Sequence, residues 1–266
     1  MQLVRHAAVA GTFYPGDAAE LAHDVKRLLS EAPPSALRPK VLIAPHAGYI
    51  YSGPIAASAY AALASQHALI RRVVLLGPVH RVWVQSLALP GADNFETPLG
   101  PIPLDREAMQ AIRNLPQVEV NPAAHALEHS LEVHLPFLQT VLDNFSLVPL
   151  AVGSASAADV AEVLEKLWGG EETLIVISSD LSHYLPYSTA QDIDRETVQH
   201  ILEFDTNLVG EQACGAHALN GLLLAARRRG LTAKLLDLRN SGDTAGDKQQ
   251  VVGYAAIAMV EPAHAD

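Results

Sequence analysis

The chain has 266 residues, of which 49% are hydrophobic and 18% are charged. It is therefore long enough to bury a substantial core, and its composition is not that of a disordered chain. Its net charge of −11 excludes a general affinity for nucleic acid, because an acidic surface repels phosphate backbones. No segment approaches the roughly 18 consecutive apolar residues that a membrane span requires, so we expect neither a nucleic-acid nor a membrane partner.

Short apolar runs alternate with helical patterns along the chain, and several runs are continuously aliphatic or β-branched. Such runs are typical of strands that helices cover on both faces. We predict an α/β fold with a single domain over residues 1–266, built on a mainly parallel or mixed central sheet flanked by helices. The predicted elements, in chain order, are a helix Ala18–Ser30, a strand Val41–Ala44, a helix Ile55–Ser65, strands Val73–Leu76 and Val82–Leu89, an antiparallel ribbon within Gly91–Pro103, helices Arg106–Asn114 and Leu131–Leu142, a strand Leu147–Val152, a helix Ala157–Trp168, a strand Leu174–Ile177, helices Ile193–Glu203 and Ala216–Arg229, and strands Lys234–Leu238 and Val251–Val260.

Histidines follow three of these predicted strands, a few residues beyond the end of each. They are His46, His80 and His183. The carboxyl ends of parallel strands in an open α/β sheet meet at one crevice, where ligands bind. If the three strands are parallel neighbours, all three imidazoles face the same pocket. We therefore predict a histidine-rich pocket in which His46 and His80 bind one metal ion.

Asp180 lies three residues before His183, in the same predicted turn. A carboxylate at that spacing can set the tautomer of an imidazole and tune its basicity, as general acid/base catalysis requires. The alternative is that Asp180 caps a following helix. Both interpretations stay open from the sequence.

Two further histidines occur in the run Glu128-His129-Ser130-Leu131-Glu132-Val133-His134. They are five residues apart, so they would face different sides of a helix, unlike the His-Glu-x-x-His pattern of zinc proteases. We predict that His129, just before the helix that Ser130 caps, reaches the pocket. His134 is interpreted as structural.

Cys214 is the single cysteine of the chain, so no internal disulfide can form, and we expect a reducing cytoplasmic location. The first residues also lack the apolar core of a signal peptide. Because Cys214 precedes a predicted helix, its pKa is expected to be lowered, which would make the thiolate a nucleophile or a metal ligand. The alternative is that Cys214 is a small buried apolar residue.

Motifs in a fixed order extend this picture across nearly the whole chain. They are Ala10-Gly11-Thr12-Phe13-Tyr14-Pro15, Pro45-His46-Ala47-Gly48-Tyr49 with Ser52-Gly53, Gly77-Pro78-Val79-His80, Glu128-His129-Ser130-Leu131-Glu132-Val133-His134-Leu135-Pro136, Ser178-Ser179-Asp180-Leu181-Ser182-His183-Tyr184, Cys214-Gly215, Ser241-Gly242-Asp243 and Val252-Gly253-Tyr254. Together these motifs resemble the MEMO family, in its prokaryotic branch (the AmmeMemoRadiSam system protein B type).

The resemblance implies a fold similar to the class III extradiol ring-cleavage dioxygenases, which are non-haem iron enzymes. It also implies that His46, His80 and Cys214 are the metal ligands, with the cysteine in place of the carboxylate that the dioxygenases use. His183, oriented by Asp180, would be the acid/base. Phe13 would lie at the edge of the pocket, in which we also place Tyr49 and His129.

The first functional hypothesis is a metal-dependent redox enzyme with one metal ion per chain. Iron is favoured for it, and copper and zinc are also compatible with two imidazoles and a thiolate. The second hypothesis is a non-catalytic binding or scaffold protein that uses the same pocket for a small molecule or a peptide. The third is a zinc-type hydrolase. The resemblance further implies a functional association with a radical SAM protein and an AMMECR1-type protein.

Overall fold

Strands and helices alternate through residues 3–262, which are the residues that the computed structural model describes. The strands are β1 Val4–Arg5, β2 Val41–Ala44, β3 Arg72–Pro78, β4 Leu87–Leu89, β5 Asn94–Thr97, β6 Gly100–Pro103, β7 Val118–Val120, β8 Ser146–Val152, β9 Thr173–Ser178, β10 His183–Leu185, β11 Thr232–Asn240 and β12 Val251–Val260. The α-helices are α1 Ala18–Glu31, α2 Tyr49–Tyr60, α3 Arg106–Ile112, α4 Pro122–Ala126, α5 Leu135–Val141, α6 Ala157–Leu167, α7 Tyr187–Leu202 and α8 Ala216–Arg228. Short 3₁₀ turns cover Ala61–Gln66, Glu132–His134 and Ser241–Asp243.

The large sheet is mixed, with a parallel centre. Its strand order is β10-β12-β2-β9-β3-β8-β4-β7, and β11 pairs with β12. Strands β2, β9, β3 and β8 are parallel to one another, whereas β12 runs antiparallel to β2 and β4 antiparallel to β8. The prediction of an α/β fold with a mixed central sheet is therefore confirmed.

Helices cover both faces of this sheet. Successive side chains of the central strands point to opposite sides, so each face packs against its own set of helices. Ile43, Val74 and Ile175 belong to one buried cluster, which also contains residues of α6, α7 and α8. Their neighbours, such as Leu42 and Leu75, belong to a second cluster with residues of α1, α2 and α5. This arrangement explains why the interior positions of the central strands are apolar on both faces. Among residues 3–262, no helix is long and apolar enough to cross a membrane.

Two local predictions are wrong. The strand predicted over Val82–Leu89 forms only at Leu87–Leu89, and the exposed Trp83 and Gln85 lie in the loop before it. Ser130 does not cap a helix, because its hydroxyl donates to the Pro78 carbonyl (2.7 Å). The chain turns into α5 instead through the 3₁₀ turn Glu132–His134.

A second, three-stranded sheet (β1-β5-β6) carries the N-terminal segment, which a buried ion pair ties to the rest of the molecule. The guanidinium of Arg5 pairs with the carboxylate of Glu132, and the side chains are 5% and 0% exposed. Arg5 also donates to the carbonyls of His125 (2.9 Å) and Glu128 (2.6 Å). Glu132 accepts three further hydrogen bonds, from the backbone N–H groups of Ala8 and Val9 and from the Tyr14 hydroxyl.

Candidate metal centre

Three histidine rings meet beyond the carboxyl ends of the central parallel strands. His46 follows β2, His80 follows β3, and His129 lies in the segment between α4 and α5. One nitrogen from each ring lies within 4.8 Å of the other two, so the group could hold a metal ion. His46 is buried, His129 is half-buried and His80 is exposed, so the cluster opens to solvent on the His80 side.

The second nitrogen of each ring is held by a neighbouring side chain. The Nδ1 atom of His46 lies 2.6 Å from the Ser178 hydroxyl. The Nδ1 atoms of His80 and His129 lie 2.9 Å and 3.2 Å from the same carboxylate oxygen of Glu128. Such outer contacts are typical of histidines that bind metal through the opposite nitrogen.

These contacts fix the tautomers. The Ser178 hydroxyl donates its single hydrogen to the Ser130 carbonyl (2.6 Å), so it must accept from Nδ1–H of His46. Burial, followed by the neighbouring His80 and His129, lowers the pKa of His46 well below the usual value, so this ring is neutral. Its Nε2 atom therefore carries a free lone pair, which is the form that binds metal.

Glu128 faces the Nδ1 atoms of the other two rings, and no sequence pattern predicts this beyond its position next to His129. Its carboxylate also accepts the backbone N–H groups of His80 (2.6 Å), His129 (2.9 Å) and Ser130 (3.0 Å). Burial alone would raise the pKa of Glu128, but the hydrogen bonds from His129 and His80 outweigh it and lower that pKa. An ionised Glu128 can only accept, so the Nδ1 atoms of His80 and His129 face it as N–H groups, and Nε2 is the atom that each ring has left for a metal.

Cys214 lies beside this cluster, immediately before α8. Its Sγ is 3.4 Å from Nε2 of His46 and accepts the backbone N–H of Asp180 (3.3 Å). The expected lowering of its pKa is wrong: burial and then the Asp180 carboxylate raise the pKa of Cys214 to about 12. The helix terminus does not offset desolvation here, so a thiolate at this position requires a cation beside it. Its role as a ligand stays a prediction.

Asp180 is buried and contacts His46 in two places. Its Oδ1 accepts the backbone N–H of His46 (2.8 Å), and its Oδ2 lies 3.9 Å from Nε2 of the same residue. Asp180 does not cap a helix, since the next helix begins at Tyr187 with Pro186 as the N-cap. Burial raises the pKa of Asp180, and the His46 N–H and the charge of His183 oppose that rise.

His183 is half-buried at the start of β10, opposite Val252 of β12. Within residues 3–262, no hydrogen bond joins His183 to Asp180, so Asp180 influences this ring through charge. The acid/base role of the two residues stays a prediction.

The remaining predicted pocket residues differ in their surroundings. The ring of Phe13 lies 4.7 Å from that of His129, centroid to centroid, so Phe13 lies at the edge of the cluster. Tyr49 has the contacts of a core residue: it is 5% exposed, and its hydroxyl donates to the Val133 carbonyl (2.7 Å). His134 is also buried in the core, with Nδ1 2.8 Å from the Tyr60 hydroxyl.

A buried carboxylate on α7 supports the loop that carries Asp180 and His183. Oδ1 of Asp194 accepts the backbone N–H of Ser182 (3.0 Å). Its other oxygen lies so close to Gly253 that a Cβ on this glycine would be 2.0 Å away. The same glycine exchanges backbone hydrogen bonds with Leu181 and Ser182 (2.8 and 2.9 Å). Asp194 and Gly253 together fix the backbone between Asp180 and His183.

Asp194→Asn should raise the free energy of unfolding at pH 7. Burial raises the pKa of Asp194 from 3.8 to about 6. The unfolded chain therefore ionises this group more readily, and the native state loses stability as pH rises from about 4 to about 6. Removing the charge should recover about 1–3 kcal/mol at neutral pH, while Asn can still accept from Ser182. Urea unfolding of the wild type and the variant at pH 4 and pH 7 measures the effect. A difference in stability between the two proteins that is the same at both pH values would contradict the prediction.

Comparisons with known proteins identify the family. The sequence profile described as Memo-like protein matches residues 5–258. A MEMO1 family protein of Aquifex aeolicus is 36% identical over 96% of this chain and 98% of its own length. Those of Methanothermobacter thermautotrophicus and Ignicoccus hospitalis are 35% and 37% identical, over 96% and 98% of this chain and 100% of their own lengths.

A solved structure shares the fold. It is an uncharacterized protein of Escherichia coli K12, JW3007, with a TM-score of 0.50 and 13% identity over 80% of this chain and 98% of that chain. At this identity the likeness concerns the fold alone. The profile and the full-length relatives carry the assignment: the chain belongs to the MEMO family.

Proposed function

We propose that this chain binds one metal ion at His46, His80 and His129 and acts as a metal-dependent redox enzyme. The observation that carries the proposal is the common orientation of the three rings, each with Nδ1 against Ser178 or Glu128 and Nε2 left for a metal. Imidazole donors with a thiol nearby suit iron, copper and zinc better than calcium or magnesium. Iron is the metal we favour, because the motifs resemble those of non-haem iron dioxygenases.

The side chains around the rings have separate tasks in this proposal. A bound iron or copper ion would supply one-electron chemistry at the open side of the cluster. Glu128 and Ser178 hold the rings in the ligand tautomer. Asp180 holds the backbone of His46, and His183 would donate or accept a proton at the substrate.

Metal analysis of protein purified without added metal tests this function. We expect about one metal per chain, iron before copper, and substoichiometric metal in His46→Ala and in His80→Ala. His23→Ala removes an exposed histidine of α1 and serves as the matched control. Wild-type metal content in both site variants would overturn the proposal. Retained zinc alone would overturn the redox function and favour a hydrolase.

Cobalt substitution separates the two ligand sets. A Co²⁺ ion bound by a thiolate shows a sulfur-to-metal charge-transfer band, which a site of three imidazoles lacks. If Cys214 is a ligand, as the resemblance implies, Cys214→Ser should remove this band, and His129→Ala should retain it. If the site consists of His46, His80 and His129, the wild-type protein should show no such band.

A further inference from the structure

A groove of about 360 Å³ opens beside the candidate metal centre and reaches two of its residues, His80 and Cys214. Its lining also includes Arg81, Trp83 and His217. None of the described residues that line it is acidic, although the chain has 29 Asp and Glu against 18 Lys and Arg. A lining without carboxylates on such an acidic protein favours an anionic ligand.

Arg81 and Trp83 give this groove its recognition chemistry. Arg81 directly follows His80, and within residues 3–262 its guanidinium makes no ion pair or hydrogen bond, so its donors are available to a ligand. The indole of Trp83 is 76% exposed, whereas the other tryptophan, Trp168, is 3% exposed. An exposed indole offers a flat apolar face for stacking.

The first turn of α8 adds a weaker positive electrostatic potential to that of Arg81. This 13-residue helix begins next to Cys214, its N-cap Gly215 provides no side-chain cap, and its first turn contains no acidic residue. The positive end of the helix dipole therefore lies close to the Cys214 side of the groove.

We propose that this groove binds a small organic anion, with its charged group on Arg81 and a flat apolar part on Trp83. The volume is that of a small-molecule site. The proposal rests on the proposed function, because the anion would be the substrate presented to the metal centre through His80 and Cys214.

A pair of probes with one shape and different charge tests the proposal: 2-naphthoate and its neutral analogue 2-naphthamide. Each is titrated into the full-length protein as purified, and again after chelation, while the two indole N–H signals are followed by NMR. The signal of Trp83 should shift. That of Trp168, whose indole N–H is bonded to Glu261 (2.7 Å), should stay unchanged.

The naphthoate should bind about three- to tenfold more tightly than the amide, as expected for a partly exposed charged hydrogen bond. Arg81→Gln should make the two affinities equal, and raised salt should narrow the difference. Trp83→Ala, in which binding is measured by equilibrium dialysis, should weaken the binding of both probes and leave the ratio of their affinities unchanged. Arg38→Gln, which removes the same charge from another exposed arginine, is the matched control and should retain the preference.

Equal affinities in the wild-type chain, or a preference that survives Arg81→Gln, would overturn the proposal. The chelated sample separates it from the proposed function. If the chain binds metal but shows no preference for the anion, only the groove proposal is contradicted. If it prefers the anion but never retains metal, only the proposed metal centre is contradicted.

Discussion

Replacing Arg5 by methionine is expected to lower the free energy of unfolding by about 3–5 kcal/mol, because it leaves the carboxylate of Glu132 buried without its cation. Glu132 is fully buried, and the three donors that remain, two backbone N–H groups and the Tyr14 hydroxyl, carry no positive charge. The carbonyls of His125 and Glu128 lose a donor at the same time. Chemical denaturation monitored by circular dichroism measures the loss.

Two variants make this result interpretable. Arg38→Met replaces an exposed arginine and should change stability by less than about 0.5 kcal/mol. Arg5→Met combined with Glu132→Leu removes both charges and should recover part of the loss, but not all of it, since the donors at Ala8, Val9 and Tyr14 stay unpaired. A loss below about 1 kcal/mol in the single variant would show that the pair is dispensable.

The fold could be predicted because its signals are local. The interiors of the central strands are continuously apolar, and the structure places these strands where the sequence does, within a residue or two at each end. The shared pocket followed from one further rule, that parallel strand ends converge. Strands β2, β9 and β3 are adjacent and parallel, and this brings the segments that follow them together.

The supports of the site could not be predicted, because they join distant segments of the chain. Arg5 and Glu132 are 127 positions apart, and Glu128 is 48 positions from His80. No local pattern marks such pairs. The expected pKa of Cys214 was wrong for a related reason: the rule for a helix terminus is local, whereas burial by Ser179, Asp180 and their neighbours is tertiary.

Replacing Glu128 by glutamine should weaken metal binding by about 10- to 100-fold, with His46, His80 and His129 all intact. The carboxylate accepts the ring N–H of His80 and three backbone N–H groups, lies 3.2 Å from Nδ1 of His129, and has no hydrogen to donate. An amide at this position turns an NH₂ group toward some of these donors. The least costly response is for His80 or His129 to move its proton to Nε2, which blocks the atom that would bind metal.

Competition against a chelator with Zn²⁺ measures the affinity, and Glu107→Gln, an exposed change of the same charge on α3, is the control. The tautomer is measurable without any metal, from the ¹⁵N shifts of the histidine rings in the chelated protein. We expect unprotonated Nε2 atoms in the wild-type chain and at least one protonated Nε2 in Glu128→Gln. A variant with wild-type affinity and unchanged ring shifts would show that Glu128 does not set the ligand form. Weakened binding with unchanged shifts would instead assign its effect to charge alone.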